Sequence, residues 1–146
     1  MLTRRWFSSG MAGVAGCVLC EISTGFIATE ASAQQAAPPP TAGVRRKVLS
    51  QVEGPTPGYV TIMVEGEIDP GALVARHTHP GIESGYILEG ALELPVEGQP
   101  TRVLKAGDGF QVPANVPHAG ARNGDKLTRF TSTYVVEKGK PLASPA

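Results

Sequence analysis

The sequence predicts an all-β domain built as an antiparallel sandwich or barrel, and three observations predict it. Glycine and proline number 18 and 13 in 146 residues, more punctuation than long helices tolerate. Short runs rich in β-branched and aromatic residues recur between those punctuators, the spacing of strands in sandwiches and barrels. No segment sustains a helical apolar period. The length fits a single domain. With 41% apolar and 18% charged residues the chain can build a core and is not disordered by composition.

The first 33 residues read as an address. Arg4-Arg5 precedes an uncharged stretch over residues 6–20, which Glu21 interrupts. That stretch is shorter than the ~20 residues a helix needs to cross a membrane. Ala31-Ser32-Ala33 supplies an A-x-A cleavage pattern. The Thr3-Arg4-Arg5-x-Phe7 order resembles the twin-arginine export signal of bacteria, which implies a periplasmic protein. Val14-Ala15-Gly16-Cys17 offers a looser lipoprotein box as the rival processing site. Cleavage after Ala33 removes Cys17 and Cys20, the only two cysteines. The remainder then has no disulfide and no stable membrane anchor.

Residues 34–43 are Ala/Pro-rich and read as a linker or extended arm. From Val44 the chain alternates. Residues 59–68 form the clearest strand and end at Asp69-Pro70-Gly71. Residues 73–79 follow, closed by Pro80-Gly81, then 86–88 before Glu89-Gly90 and 92–96 before Glu97-Gly98. Val103-Leu104 leads to Gly107-Asp108-Gly109, where Asp108 reads as a structural cap, and then to 110–112. Asn123-Gly124 is suited to a type I′ hairpin. Residues 127–137 close the series, so the domain spans 44–140, with 141–146 a loose tail.

All three histidines fall within this domain. His77 and His79 are two apart, so on a strand both rings leave one face. Glu83 lies four residues on, beyond a Pro-Gly bend that lets the next strand return its carboxylate to the same cavity. His118 opens a later strand after Pro117. Three imidazoles and a carboxylate suit a divalent transition ion: imidazole favours Zn, Cu, Fe and Ni, and carboxylate draws the set toward Mn. An octahedral ion on four such ligands keeps two positions open. Ordinary histidines remain the alternative at this level, since His-x-His in a strand is only moderately specific.

The glycine framework around these residues resembles the cupin family. Its first motif, G-x5-H-x-H-x3/4-E-x6-G, is matched by Gly71, His77, His79, Glu83 and Gly90. Its second, G-x5-P-x-G-x2-H-x3-N, is matched by Gly107, Pro113 and His118, with Asn115 in place of the glycine and the last Asn one position late at Asn123. Asparagine is the non-glycine residue best able to adopt positive φ. The resemblance implies a jelly-roll β-barrel, the cupin double-stranded β-helix. It also implies one divalent metal on His77, His79, Glu83 and His118, and a tendency to form homodimers. Tyr86 and Leu88, on the strand face opposite Glu83, are the apolar groups a partner subunit or the 34–50 arm would cover.

Charge excludes some functions. Lys and Arg balance Asp and Glu at 13 each, so nothing steers the chain to nucleic acid. Arg45-Arg46-Lys47 alone reads as a short solvated run. Past residue 33 the aromatics are Tyr59, Tyr86, Phe110, Phe130 and Tyr134, too few for a stacking platform. The expected function is a metalloenzyme acting on a small organic molecule, dioxygenase-like, with isomerase or lyase chemistry also open to this ligand set. In that reading Glu83 could serve as a base, and Gln111 either orients substrate in the cavity or faces outward. The alternative is a non-catalytic periplasmic module that holds a metal or small ligand. Folding before export would let Mn or Fe be captured ahead of Zn, Ni or Cu.

Overall fold

The computed structural model describes residues 41–120 and 124–146. The leader, most of the 34–43 arm, and Arg122 and Asn123 of the hairpin and second motif lie outside them. The described residues contain no helix. The strands are β1 (Val44–Glu53), β2 (Tyr59–Ile68), β3 (Val74–Thr78), β4 (Gly81–Glu89), β5 (Ala91–Leu94), β6 (Arg102–Lys105), β7 (Gly109–Val112), β8 (His118–Gly120), β9 (Thr128–Glu137) and β10 (Ser144–Pro145).

They form a five-stranded sheet in the order β1-β2-β9-β4-β7, a three-stranded sheet β10-β3-β8, and the β5-β6 hairpin. Every pairing between named strands is antiparallel. The neighbours in the large sheet are mostly distant in sequence, the winding of a jelly roll.

Alternation fixes which side chains face in. On β9, Thr128, Phe130, Ser132, Tyr134 and Val136 are buried while their neighbours are half-exposed. On β2, Val60, Ile62, Val64 and Ile68 do the same. One cluster gathers Ile87, Leu104, Val112, Phe110 and Phe130, and the other gathers Val60, Ile62, Val64, Tyr134, Val136 and Leu142. Two glycines make room for the rings. Gly66 pairs with Phe130 and Gly85 with Phe110, and a Cβ at either glycine would lie 2.1–2.2 Å from the opposed ring. Each aromatic thus covers the glycine across the ladder.

The reading of strand positions is refined in three places. β4 begins at Gly81 rather than at residue 86, because pairing to β9 starts there, at Val136. Residues 141–146 are not a loose tail. Leu142 and Ala143 are buried, and Ser144–Pro145 pairs with Thr78 and His77 of β3. Apolar burial and an added ladder hold a segment that lacks any local strand pattern. Arg46 is not part of a solvated run either. It is half-buried, whereas Arg45 and Lys47 beside it are exposed, because β1 alternation turns it toward the face that carries buried Val44.

Two expectations about local geometry are met. Asn115 has φ 59°, the only non-glycine residue at positive φ among the described residues. Tyr86 and Leu88 are exposed on the outer side of β4.

Candidate metal centre

β3 and the turn after it deliver His77 and His79, β4 returns Glu83, and β8 supplies His118. The β3–β8 ladder places His77 directly opposite His118. The backbone N–H of Asn115 donates to the His79 carbonyl at 2.9 Å, so the left-handed Asn115 turn ties the second stretch to the first. The three rings meet, with centroids 4.3 Å apart for His77 and His118, 4.8 Å for His77 and His79, and 5.0 Å for His79 and His118. Each ring offers a nitrogen within 4.8 Å of the other two. His79, Glu83 and His118 are buried and His77 is partly so.

The backbone orients every ring. His77 Nδ1 lies 2.7 Å from the Ala75 carbonyl, His79 Nδ1 lies 2.6 Å from that of Leu142, and His118 Nδ1 lies 3.0 Å from that of Val116. A carbonyl only accepts, so each Nδ1 carries the proton and each Nε2 keeps its lone pair. The buried Nε2 atoms of His79 and His118 have no hydrogen-bond partner. Both nevertheless stand close to Glu83 Oε2, at 3.2 and 3.3 Å. Lone pairs gathered around a carboxylate oxygen with no aligned N–H between them repel unless a cation lies among them. Three neutral imidazoles and one carboxylate are the donors a divalent transition ion takes, so the residues present fit such an ion.

Glu83 is held from its other side. Its Oε1 accepts from Ser132 Oγ at 2.7 Å and from the Tyr134 hydroxyl at 2.9 Å. Burial pushes the Glu83 carboxyl up, but positive charge among His118 and His79, as protons on the rings or as an ion between them, and the Ser132 hydroxyl outweigh it, so Glu83 is ionised whenever that charge is present. Burial, with the Glu83 charge beside it, raises Tyr134 well above the ordinary tyrosine value, so its phenol keeps the proton it donates. Burial lowers His77 to about 4, helped by the two other rings. Its neutral form, the one able to take a metal, is therefore the resting one.

Ser132, Tyr134 and the Leu142 carbonyl are the functional groups that sequence reasoning missed. The signal for the first was present: a serine stands between Phe130 and Tyr134 in the buried inward row of β9. Two other expectations concern side chains outside the cluster. Gln111 donates to Ser84 Oγ at 3.1 Å on the sheet's outer side, away from the histidines. The Asp108 carboxylate accepts from the Lys105 backbone N–H at 2.9 Å, the structural cap its turn position implied.

The space beside the cluster is about 30 Å³ and is walled by His77, Glu83, His118, Tyr134 and Phe130, among others. That is room for little beyond an ion and its water. A roomier cleft of about 230 Å³ adjoins it across His77.

Comparison with known proteins agrees with the fold. The Cupin domain family model matches residues 64–136. The polyketide synthase CurC of Streptomyces cyaneus is 31% identical over 90 residues, covering 60% of this chain and 56% of that protein. An RmlC-like cupin from Shewanella frigidimarina superposes with a TM-score of 0.54 at 27% identity, covering 64% of this chain and 76% of that one. The DMSP lyase DddQ from Ruegeria pomeroyi superposes with a TM-score of 0.51 at 26% identity, covering 63% of this chain and 46% of the other. The chain thus spans less than two thirds of the length of the curated relatives it matches.

Proposed function

The chain belongs to the cupin family, and on that premise we propose that it is a metal-dependent enzyme that transforms a small organic molecule at one divalent transition ion held by His77, His79, Glu83 and His118. The observation that carries this reading is the clustering of three backbone-oriented imidazoles, two of them with orphaned Nε2 atoms 3.2 and 3.3 Å from one oxygen of a buried carboxylate. Bound there, a divalent ion supplies Lewis acidity toward a substrate oxygen. The protein's own part is orientation. Ser132 and Tyr134 fix Glu83 through Oε1 and leave Oε2 toward the histidines, so this carboxylate is braced as a ligand rather than free to swing as a base. The buried walls of Val112, Phe110 and Phe130 limit water around the polar cluster.

The adjoining cleft favours an enzyme over a simple metal carrier. A carrier needs only the ligands, whereas a substrate site needs apolar walls with a few converging polar groups. Here Val74, Ala75, Ala143 and Pro145 line the cleft together with Arg46 and His77. Dioxygenase, isomerase and lyase chemistry are the classes that fit, and oxygen uptake with catechols or flavonols separates the first from the others.

The same proposal includes export through the twin-arginine-like leader and capture of Mn or Fe before export. Elemental analysis of chain isolated from the periplasm tests both. The reading expects about one Mn or Fe per chain, and stoichiometric Zn overturns the choice of metal. We also place a homodimer contact on the outer face of β4, where Ile82, Tyr86 and Leu88 are exposed. Sedimentation velocity decides that point.

Acid should release the ion, because protons compete for the imidazoles. The sign follows from His77. Its value falls from 6.5 to about 4 on folding, so between those limits the unfolded chain takes up a proton that the folded chain refuses. The stability contributed by neutral His77 is fully present above pH 6.5 and is lost as pH falls toward 4. Metal content and melting temperature, followed from neutral pH downward, should drop together in that window. Full metal occupancy at the acid end would contradict the ligand assignment.

A further inference from the structure

Arg46 lies directly across from Gly66 in the β1–β2 register, so the two share one face of the sheet. That face is the inner one, since a Cβ on Gly66 would strike the Phe130 ring. Arg46 borders both the inner cavity beside the histidines and the larger cleft outside it. The two spaces have Arg46, Val74 and His77 in common.

Of the neighbouring cations, Lys47 is exposed on the opposite face of β1, and two others are already engaged. Arg45 pairs with Glu67 and Asp69, and Arg76, also on the cleft, pairs with Glu97. Among the described residues, no carboxylate lies within ion-pair distance of Arg46. A guanidinium that borders a cleft and has no ion-pair partner is available to an incoming anion. Its planar fork of donors matches a carboxylate in two parallel hydrogen bonds.

The sizes of the two spaces decide how a ligand must lie. At about 30 Å³ the inner cavity cannot hold an organic molecule, whereas the cleft, at about 230 Å³, can. Its walls at Val74, Ala75, Ala143 and Pro145 suit a short carbon body.

We propose that the cleft takes a small organic acid, its carboxylate anchored on Arg46 and its reacting end directed past His77 toward the histidine cluster. This rests on the metal-centre reading, so metal content is measured on the same samples.

The test compares binding of acetate, pyruvate and benzoate with acetamide, pyruvamide and benzamide, which keep the shape and lose the charge. Calorimetry or ligand-observed NMR reads the affinities for the full chain, for Arg46→Gln and for Arg46→Lys. In the unaltered chain at least one acid should bind about tenfold or more tighter than its amide, as a charge-assisted pair implies. Arg46→Gln should erase that preference, Arg46→Lys should keep part of it, and the metal-to-protein ratio should be the same in all three. No acid preference in any pair, or a preference that survives Arg46→Gln, overturns the anchor. If the unaltered chain carries no metal, the metal-centre reading fails on its own, and the same ratio of acid to amide affinities still decides Arg46.

Discussion

His118→Ala should reduce bound metal from about one ion per chain to a trace. His118 is buried, its Nδ1 is tied to the Val116 carbonyl, and its Nε2 stands 3.3 Å from Glu83 Oε2 without a hydrogen-bond partner. Removing even an outer partner of a metal-bound histidine costs about 10–100-fold in affinity. Loss of the ligand itself should exceed that. The consequence extends to stability. An ion present at 100 times its dissociation constant stabilises the folded state by about 2.7 kcal/mol. For a domain of this size that corresponds to a rise in melting temperature on the order of 10 °C or more. The unaltered chain should show this rise when metal is added and His118→Ala should not. Comparing each protein with and without metal separates a lost ligand from a merely destabilised fold. A variant that keeps full stoichiometry and the full rise would show that residue 118 is not a ligand.

Deleting residues 142–146 should cost both stability and metal affinity, and the two losses can be separated. The deletion removes Leu142 from the cluster that holds Val60, Ile62, Val64, Tyr134 and Val136. Burial of one leucine contributes about 1.5–3 kcal/mol. It also removes β10 from the edge of β3 and the carbonyl that receives His79 Nδ1 at 2.6 Å. With that acceptor gone the ring can change tautomer or turn, and metal affinity should fall by about 10–100-fold. Leu142→Ala keeps the carbonyl and loses only the side chain. It should therefore be less stable by about 2–5 kcal/mol, while binding metal nearly as well. Equal metal affinity in all three proteins would show that the C-terminal segment has no part in orienting His79.

The C-terminal segment also shows where the sequence stopped being legible. Strand alternation and turn residues exposed the fold class, because both are local: the inward row of β2 and the positive φ at Asn115 follow from neighbouring residues alone. That His77, His79, Glu83 and His118 come together was legible for a related reason. His77, His79 and Glu83 sit within one strand–turn–strand unit, and the spacing around His118 repeats a recognisable framework. What escaped depends on contacts between distant parts of the chain. Ser132 and Tyr134 lie 49 and 51 residues from the carboxylate they brace. Leu142 lies 63 residues from the ring it orients, in a segment whose prolines suggest a loop. Arg46 escaped for a different reason. Among two other cations it looked solvated, although counting by twos from Val44 would have placed it on the inner face of β1.

The most direct test of the account is where the metal lies. Crystals of natively isolated protein, measured at the absorption edge of the metal that elemental analysis finds, should show one anomalous peak per chain. It should lie within bonding distance of the Nε2 atoms of His77, His79 and His118, with Glu83 Oε2 as the fourth protein ligand. A peak elsewhere on the chain, or empty density among the three rings in protein that binds metal, would contradict it.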